Sequence, residues 1–111
     1  MTQKIFARAG EDNWVELDNG SRRRVIVHTE ELMQVEFAFP EGGVGALHSH
    51  AHVQASYVAE GVFEVTIDGL TEILNTGDSF IVPSGLVHGV RAIKAGRLVD
   101  SFTPARADFL L

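Results

Sequence analysis

Apolar residues recur at every second position in short runs along this chain. Between residues 32 and 39, Val35, Phe37 and Phe39 share one face, while Gln34 and Glu36 share the other. Between residues 62 and 67, Phe63, Val65 and Ile67 oppose Glu64 and Thr66. A period of two places apolar groups on one side of a pleated strand and leaves the other side wet. Further runs rich in Val, Ile, Phe and Thr occupy residues 24–28, 55–59, 80–82, 87–93 and 98–102. Turn signals separate them: Asp18-Asn19-Gly20-Ser21, Pro40-Glu41-Gly42-Gly43, Glu60-Gly61, Asp68-Gly69, Thr76-Gly77-Asp78, Pro83-Ser84-Gly85 and Ala95-Gly96. Short β-prone runs broken roughly every 8–12 residues predict an all-β sandwich or barrel. No amphipathic helix of ten residues is present, and residues 105–111 fit either one helical turn or a docked strand.

Length and charge narrow this picture. The 111 residues, with no linker, repeat or low-complexity segment, predict one domain over 1–111. A net charge of −6 would repel a phosphate backbone, so no nucleic-acid partner is expected. No run approaches the ~18 consecutive apolar residues of a membrane span, and residues 1–8 lack the apolar stretch of a secretory signal. A protein of the cytoplasm with no membrane partner is the expectation.

The chain has no cysteine and five histidines. Disulfides, thiolate metal sites and cysteine nucleophiles are excluded, so any metal must rest on imidazole and oxygen. His48 and His50 stand two apart, which in a strand turns both rings to one face. Gln54 has the same parity, but a straight strand would carry it ~20 Å from His48. It joins the pair only if the chain turns near Ala51–Val53 and returns on a strand beside the first. His88 can approach from a third strand after Pro83-Ser84-Gly85. Three neutral imidazoles and an amide oxygen suit a divalent first-row ion such as zinc, nickel, iron, cobalt or manganese. His28 reads as an ordinary strand residue, and His52 as a supporting or exposed group in the turn.

The spacing of these residues carries a resemblance. Gly42, five residues, His48, one residue, His50, three residues, Gln54, six residues and Gly61 look like the first cupin motif. Gly77, five residues, Pro83, one residue, Gly85, two residues and His88 look like the second. The resemblance implies a double-stranded β-helix, the jelly-roll barrel of a single cupin domain, with a metal inside. Gln54 replaces the usual glutamate ligand, and Ala92 the usual closing asparagine. Gly20-Ser21-Arg22-Arg23, the stretch from Leu47 to Gln54, His88-Gly89-Val90 and the tail from Asp100 to Leu110 further resemble the KdgF-like cupins of pectin and alginate degradation. Ala51 and Val53 stand where that group often has Pro and Glu.

That resemblance implies a metal held by His48, His50, Gln54 and His88, and substrate and catalytic roles for Asp100, Phe102 and Arg106. It also implies a homodimer, as do the open sheet edges of a small barrel. The implied activity is an isomerase-like ring opening of 4,5-unsaturated monouronates, small anionic sugar acids, to linear 5-keto acids. Read from the residues alone, Asp100 shares a face with Leu98 and Phe102, and parity does not say whether that face is inward. Phe102 alone reads as core, and Arg106 as a solvated tail residue. Alternation splits Arg22-Arg23-Arg24 across two faces, which predicts a solvated run from which Arg23 or an inward neighbour helps attract an acid. Two rival functions are an iron-dependent cupin dioxygenase and a sugar-binding cupin without turnover.

Overall fold

A computed structural model describes residues 2–111. These described residues form eight strands: β1 (Val15–Glu16), β2 (Arg22–His28), β3 (Met33–Phe39), β4 (Val44–His48), β5 (Val53–Ile67), β6 (Leu70–Asn75), β7 (Ser79–Val82) and β8 (His88–Thr103). One 3₁₀ turn, Ala107–Leu110, follows, so the tail takes the helical option. The all-β expectation holds, and the strands build a jelly roll. Among the described residues no helix is long and apolar enough to cross a membrane.

A long antiparallel ribbon of β5 and β8 is the spine, paired from Val53 opposite Thr103 to Ile67 opposite His88. One half of the ribbon carries β3 on its β8 side and β7 on its β5 side, and β2 and β1 extend that wall. The other half carries β4 beside β8 and β6 beside β5. The ribbon therefore belongs to both walls and bends between them. Residues 55–59 and 62–67, expected as separate strands, are one continuous strand, as are 87–93 and 98–102. The reason lies in the cross-strand match of the two expected turns. Glu60 pairs with Arg97, so Gly61 and Gly96 meet at the corner and both strands fold there without parting. Gly61 has φ +93°, and a Cβ on it would lie 2.6 Å from the Ala95 carbonyl oxygen. A Cβ on Gly96 would collide with the Glu60 carbonyl. Glycine is what lets the two backbones approach.

The strand alternation sorts the core as the sequence pattern requires. Met33, Val35 and Phe39 of β3 turn inward and are buried, with Phe37 partly buried on the same face. They meet Val58, Phe63 and Val65 of β5, and Ala92, Leu98 and Phe102 of β8. The opposite face is not simply wet. Glu36 points outward yet is only 3% exposed, because Arg24 (2.9 Å) and Arg97 bond its two carboxylate oxygens. Arg22 and Arg24 lie against the Trp14 ring, 4.4 and 5.2 Å from its centroid. This corrects the expectation of a solvated arginine run. Arg24 is held in a buried ion pair under the N-terminal segment, while Arg23 takes the inward face.

Candidate metal centre

β4 ends at His48, and the chain turns before β5 begins at Val53. His50 therefore sits in the turn and not on the strand with His48, which corrects the simple two-apart strand reading. Convergence comes instead from the ladder, where His48 is the cross-strand partner of His88. The ring centroids lie 4.4 Å (His48 to His88), 4.7 Å (His50 to His88) and 5.5 Å (His48 to His50) apart. One ligand nitrogen from each ring falls within 4.8 Å of the others.

Each ring is fixed in the same way. Nδ1 of His48 bonds the Ala46 carbonyl at 2.8 Å, Nδ1 of His50 the His52 carbonyl at 3.0 Å, and Nδ1 of His88 the Leu86 carbonyl at 3.0 Å. A carbonyl only accepts, so each Nδ1 carries the proton and each Nε2 presents its lone pair. Imidazoles that ligate metals are oriented by such outer bonds. Burial lowers the pKa of His50 and His88; their backbone bonds oppose that shift, and the nearby His48 adds to it. Both rings are held neutral, the form that binds a metal.

Gln54 and Ser56 leave β5 on its inner face, opposite Phe102 and Asp100 of β8. The Gln54 amide nitrogen donates to Ser56 Oγ at 3.0 Å and points a longer bond at Asp100 Oδ2, 3.4 Å away. That fixes the amide oxygen toward the histidines, 3.1 Å from Nε2 of His50. With His50 protonated on Nδ1, two lone pairs face each other across that gap, and a cation between them removes the repulsion. Nε2 of His88 and Oδ1 of Asp100 are buried with no partner among the described residues. The donor set thus fits a divalent ion held by three imidazoles and an amide oxygen. Gln54 reaches this set by a route other than the expected neighbouring strand. β4 and β5 do not pair; β8 lies between them.

A cavity of about 220 Å³ opens beside the histidines, with Phe37, Phe39, Asp100, Phe102, Arg106 and Phe109 among its walls. Asp100 is 4% exposed and faces inward, which decides the parity question. Burial pushes its pKa up to about 7, against the Ser56 hydrogen bond and the Arg106 charge. Phe102 is 2% exposed, its ring edge-on to His50 at 5.8 Å. Arg106 is no solvated tail residue. Its side chain is 15% exposed and lies over Phe109 (4.2 Å) and Phe102 (5.2 Å). Its Nε and Nη2 donate to the two carboxylate oxygens of Asp108 at 3.1 and 2.9 Å, leaving Nη1 for a ligand.

Three participants escaped the sequence reading. Ser56 shares parity with Gln54, and a strand drawn without a break from residue 53 would have put it opposite Asp100. From the 3₁₀ turn, which no periodicity signals, Phe109 lines the cavity and Asp108 holds Arg106. His52 contributes its carbonyl to His50 and its ring edge-on at 5.6 Å. His28 stands apart, its carbonyl accepting from Gln3.

Known proteins resemble this chain over nearly its whole length. Residues 35–102 match the family described as Cupin domain. A pectin degradation protein, KdgF of Dickeya dadantii, is 43% identical over 102 residues, covering 90% of this chain and 93% of that one. The solved structure of KdgF from a Halomonas species has a TM-score of 0.90 at 37% identity, covering 98% of this chain and 100% of that one. An RmlC-like cupin from Shewanella frigidimarina has a TM-score of 0.93 at 38% identity, covering 96% of each chain. The chain belongs to the cupin family and, within it, to the KdgF-like members.

Proposed function

We propose that the protein opens the ring of 4,5-unsaturated monouronates, giving linear 5-keto sugar acids in the degradation of pectin or alginate. The observation that carries this reading is a buried carboxyl, Asp100, which lines a cavity beside three convergent imidazoles and has one oxygen without a partner among the described residues. Likeness to a pectin degradation protein over nine-tenths of the chain supports the same reading.

The reaction is an isomerisation and needs no co-reactant. The anomeric hydroxyl loses its proton, and the bond from C1 to the ring oxygen breaks. The C1 oxygen becomes the aldehyde, the ring oxygen becomes the 5-keto oxygen, and C4 takes a proton. A divalent metal held by His48, His50, Gln54 and His88 would supply a positive field for the carboxylate and for negative charge developing on the ring oxygen. The neutral amide of Gln54 leaves that field undiminished, where a glutamate would offset part of it. Asp100 takes the anomeric proton and returns it at C4. A carboxyl with a pKa of about 7 is suited to both halves of that transfer near neutral pH. Phe102 and Phe109 wall the ring and exclude water, and Nη1 of Arg106 holds the substrate carboxylate.

The test is direct. Metal-loaded protein is mixed with unsaturated galacturonate or mannuronate monomer, and the ultraviolet absorbance of the conjugated enol-ether acid is followed. Loss well above the spontaneous rate is expected; a rate equal to buffer overturns the reading. Oxygen uptake with a phenolic substrate would instead indicate a dioxygenase, and sugar binding without turnover a binding protein. The reading includes a homodimer, placed on the outer face where Ala55, Tyr57, Ile81 and Val99 lie together. Tyr57 is 49% and Ile81 60% exposed. Sedimentation at twice the 12.1 kDa chain mass is expected, and a monomer at micromolar concentration contradicts it.

A further inference from the structure

Arg23 is the one member of the arginine run that faces inward. Its neighbours Arg22 and Arg24 lie against Trp14 on the outer face. Its own cross-strand partner is Phe37, a wall of the cavity. The Arg23 guanidinium lies 4.1 Å from the centroid of Phe109, another wall, and Arg106 lies 4.2 Å from the same centroid. Two cations thus share one aromatic ring of the cavity wall: Arg106 lines the cavity itself, and Arg23 borders it through Phe109. One acid, Asp108, is near both, and both of its carboxylate oxygens are taken by Arg106. Arg23 has no ion pair and no side-chain hydrogen bond among the described residues. Arg8, Arg22 and Lys94 likewise have no ion pair among the described residues, but those three are exposed, whereas Arg23 is half-buried.

An unpaired cation in this place has a cost. Partial burial lowers the affinity of Arg23 for its proton, and the neighbouring Arg106 works in the same direction against Asp108. The Phe109 ring offsets part of this through its negative face. Counting Arg23, Arg106 and Asp108, the rim carries one net positive charge on a chain of net charge −6. An anion arriving at this rim finds a guanidinium with all five N–H donors uncommitted.

We infer that Arg23 is a second anion-recognition residue, which captures the carboxylate of an acidic sugar at the cavity rim and sets the preference for acids over neutral sugars. This rests on the uronate reading given above. Arg23 does not touch the reacting atoms. Its role is positioning and selectivity, so it acts on substrate capture and not on the proton transfer. The rim charge also draws an anionic ligand toward an otherwise acidic protein.

The experiment compares wild type with Arg23→Met, which keeps the packing on Phe109, Arg23→Lys, which keeps the charge, and Arg22→Met on the outer face as control. Each metal-loaded protein is titrated by calorimetry with galacturonate and with its uncharged methyl ester, and is assayed with unsaturated galacturonate. Arg23→Met is expected to raise KM and the galacturonate Kd roughly tenfold, with kcat within twofold of wild type. It should also flatten the salt dependence of binding and leave ester binding unchanged. Arg23→Lys should recover part of the loss, and Arg22→Met should match wild type. If wild type binds or turns over the uronate and a folded, metal-loaded Arg23→Met does so with the same KM and salt dependence, the inference falls and the uronate reading stands. If wild type neither binds nor turns over any uronate, both fall together.

Discussion

Asp100 shows how burial raises an ordinary carboxyl toward neutrality, as the proton shuttle proposed for it requires. It is enclosed by Ser56, Gln54 and Phe102, and desolvation disfavours its charged form more than Arg106 favours it. The sign for stability follows. The folded protein binds this proton more tightly than the unfolded chain does. Metal-free protein therefore loses stability as pH rises from the ordinary aspartate value toward about 7, and the loss levels off above that. Asp100→Asn should remove the penalty. Thermal melts of chelator-treated protein should show the variant more stable above neutrality by on the order of a few kcal/mol, with no advantage at pH 4 or below. The same variant should lose roughly 10²–10⁴ in kcat, read in the uronate assay. Equal melting curves at pH 8 would contradict the account of Asp100.

At the level of elements, two features govern how β8 delivers Asp100 and Phe102 to the cavity. The first is the corner of the ribbon. Gly96→Ala would push a methyl group into the Glu60 carbonyl, and backbone cannot yield as a side-chain tip can. Denaturant unfolding should show a loss of roughly 2–4 kcal/mol, and a neutral result would mean the strands can part there. The second is the outer-face ion pair that ties β3 to β2 and β8. Burial raises the pKa of Glu36, but hydrogen bonds from Arg97 and Arg24 outweigh it and hold the carboxyl below the ordinary range. A depressed carboxylate stabilises the fold above its unfolded value, and that stability is lost as pH falls through the folded value. Glu36→Gln should cost roughly 1–3 kcal/mol at pH 7 and give a flatter decline in acid than wild type, measured by urea titration between pH 7 and 3. A parallel decline in the two proteins would refute this role.

For the whole molecule, a metal bound by the histidines would be linked to the fold. Three strands and a turn converge on the histidines, so the site does not exist in the unfolded chain, and a ligand of the folded form alone stabilises it by mass action. Stripping the metal should lower Tm by several degrees, restored by adding back zinc, nickel or manganese. His48→Ala at this exposed ligand should abolish the metal-dependent part of the shift. It should change the Tm of the metal-free protein little. A Tm indifferent to chelator and to added metal would refute a structural contribution from the ion.

Much of this was legible one residue at a time. Period-two alternation identified the strands and the inward faces of β3 and β5, because side chains on a pleated strand can only alternate. The count of residues between His48, His50, Gln54 and His88 identified the ligand candidates. What the sequence could not contain was which distant residues share a rung of the ladder. Pairing of His48 with His88 and of Ser56 with Asp100, and the close approach of Gly61 to Gly96 at the corner, depend on strand register. Register is settled by burial and backbone bonding across the whole barrel. So the chain itself determined the elements, their apolar faces and the chemistry on offer. Only the tertiary structure decided that Asp100 faces the cavity, that β8 lies between β4 and β5, and that Arg23 and Arg106 meet over Phe109. Each of those depends on contacts between residues far apart in the chain, whose energies no local pattern records.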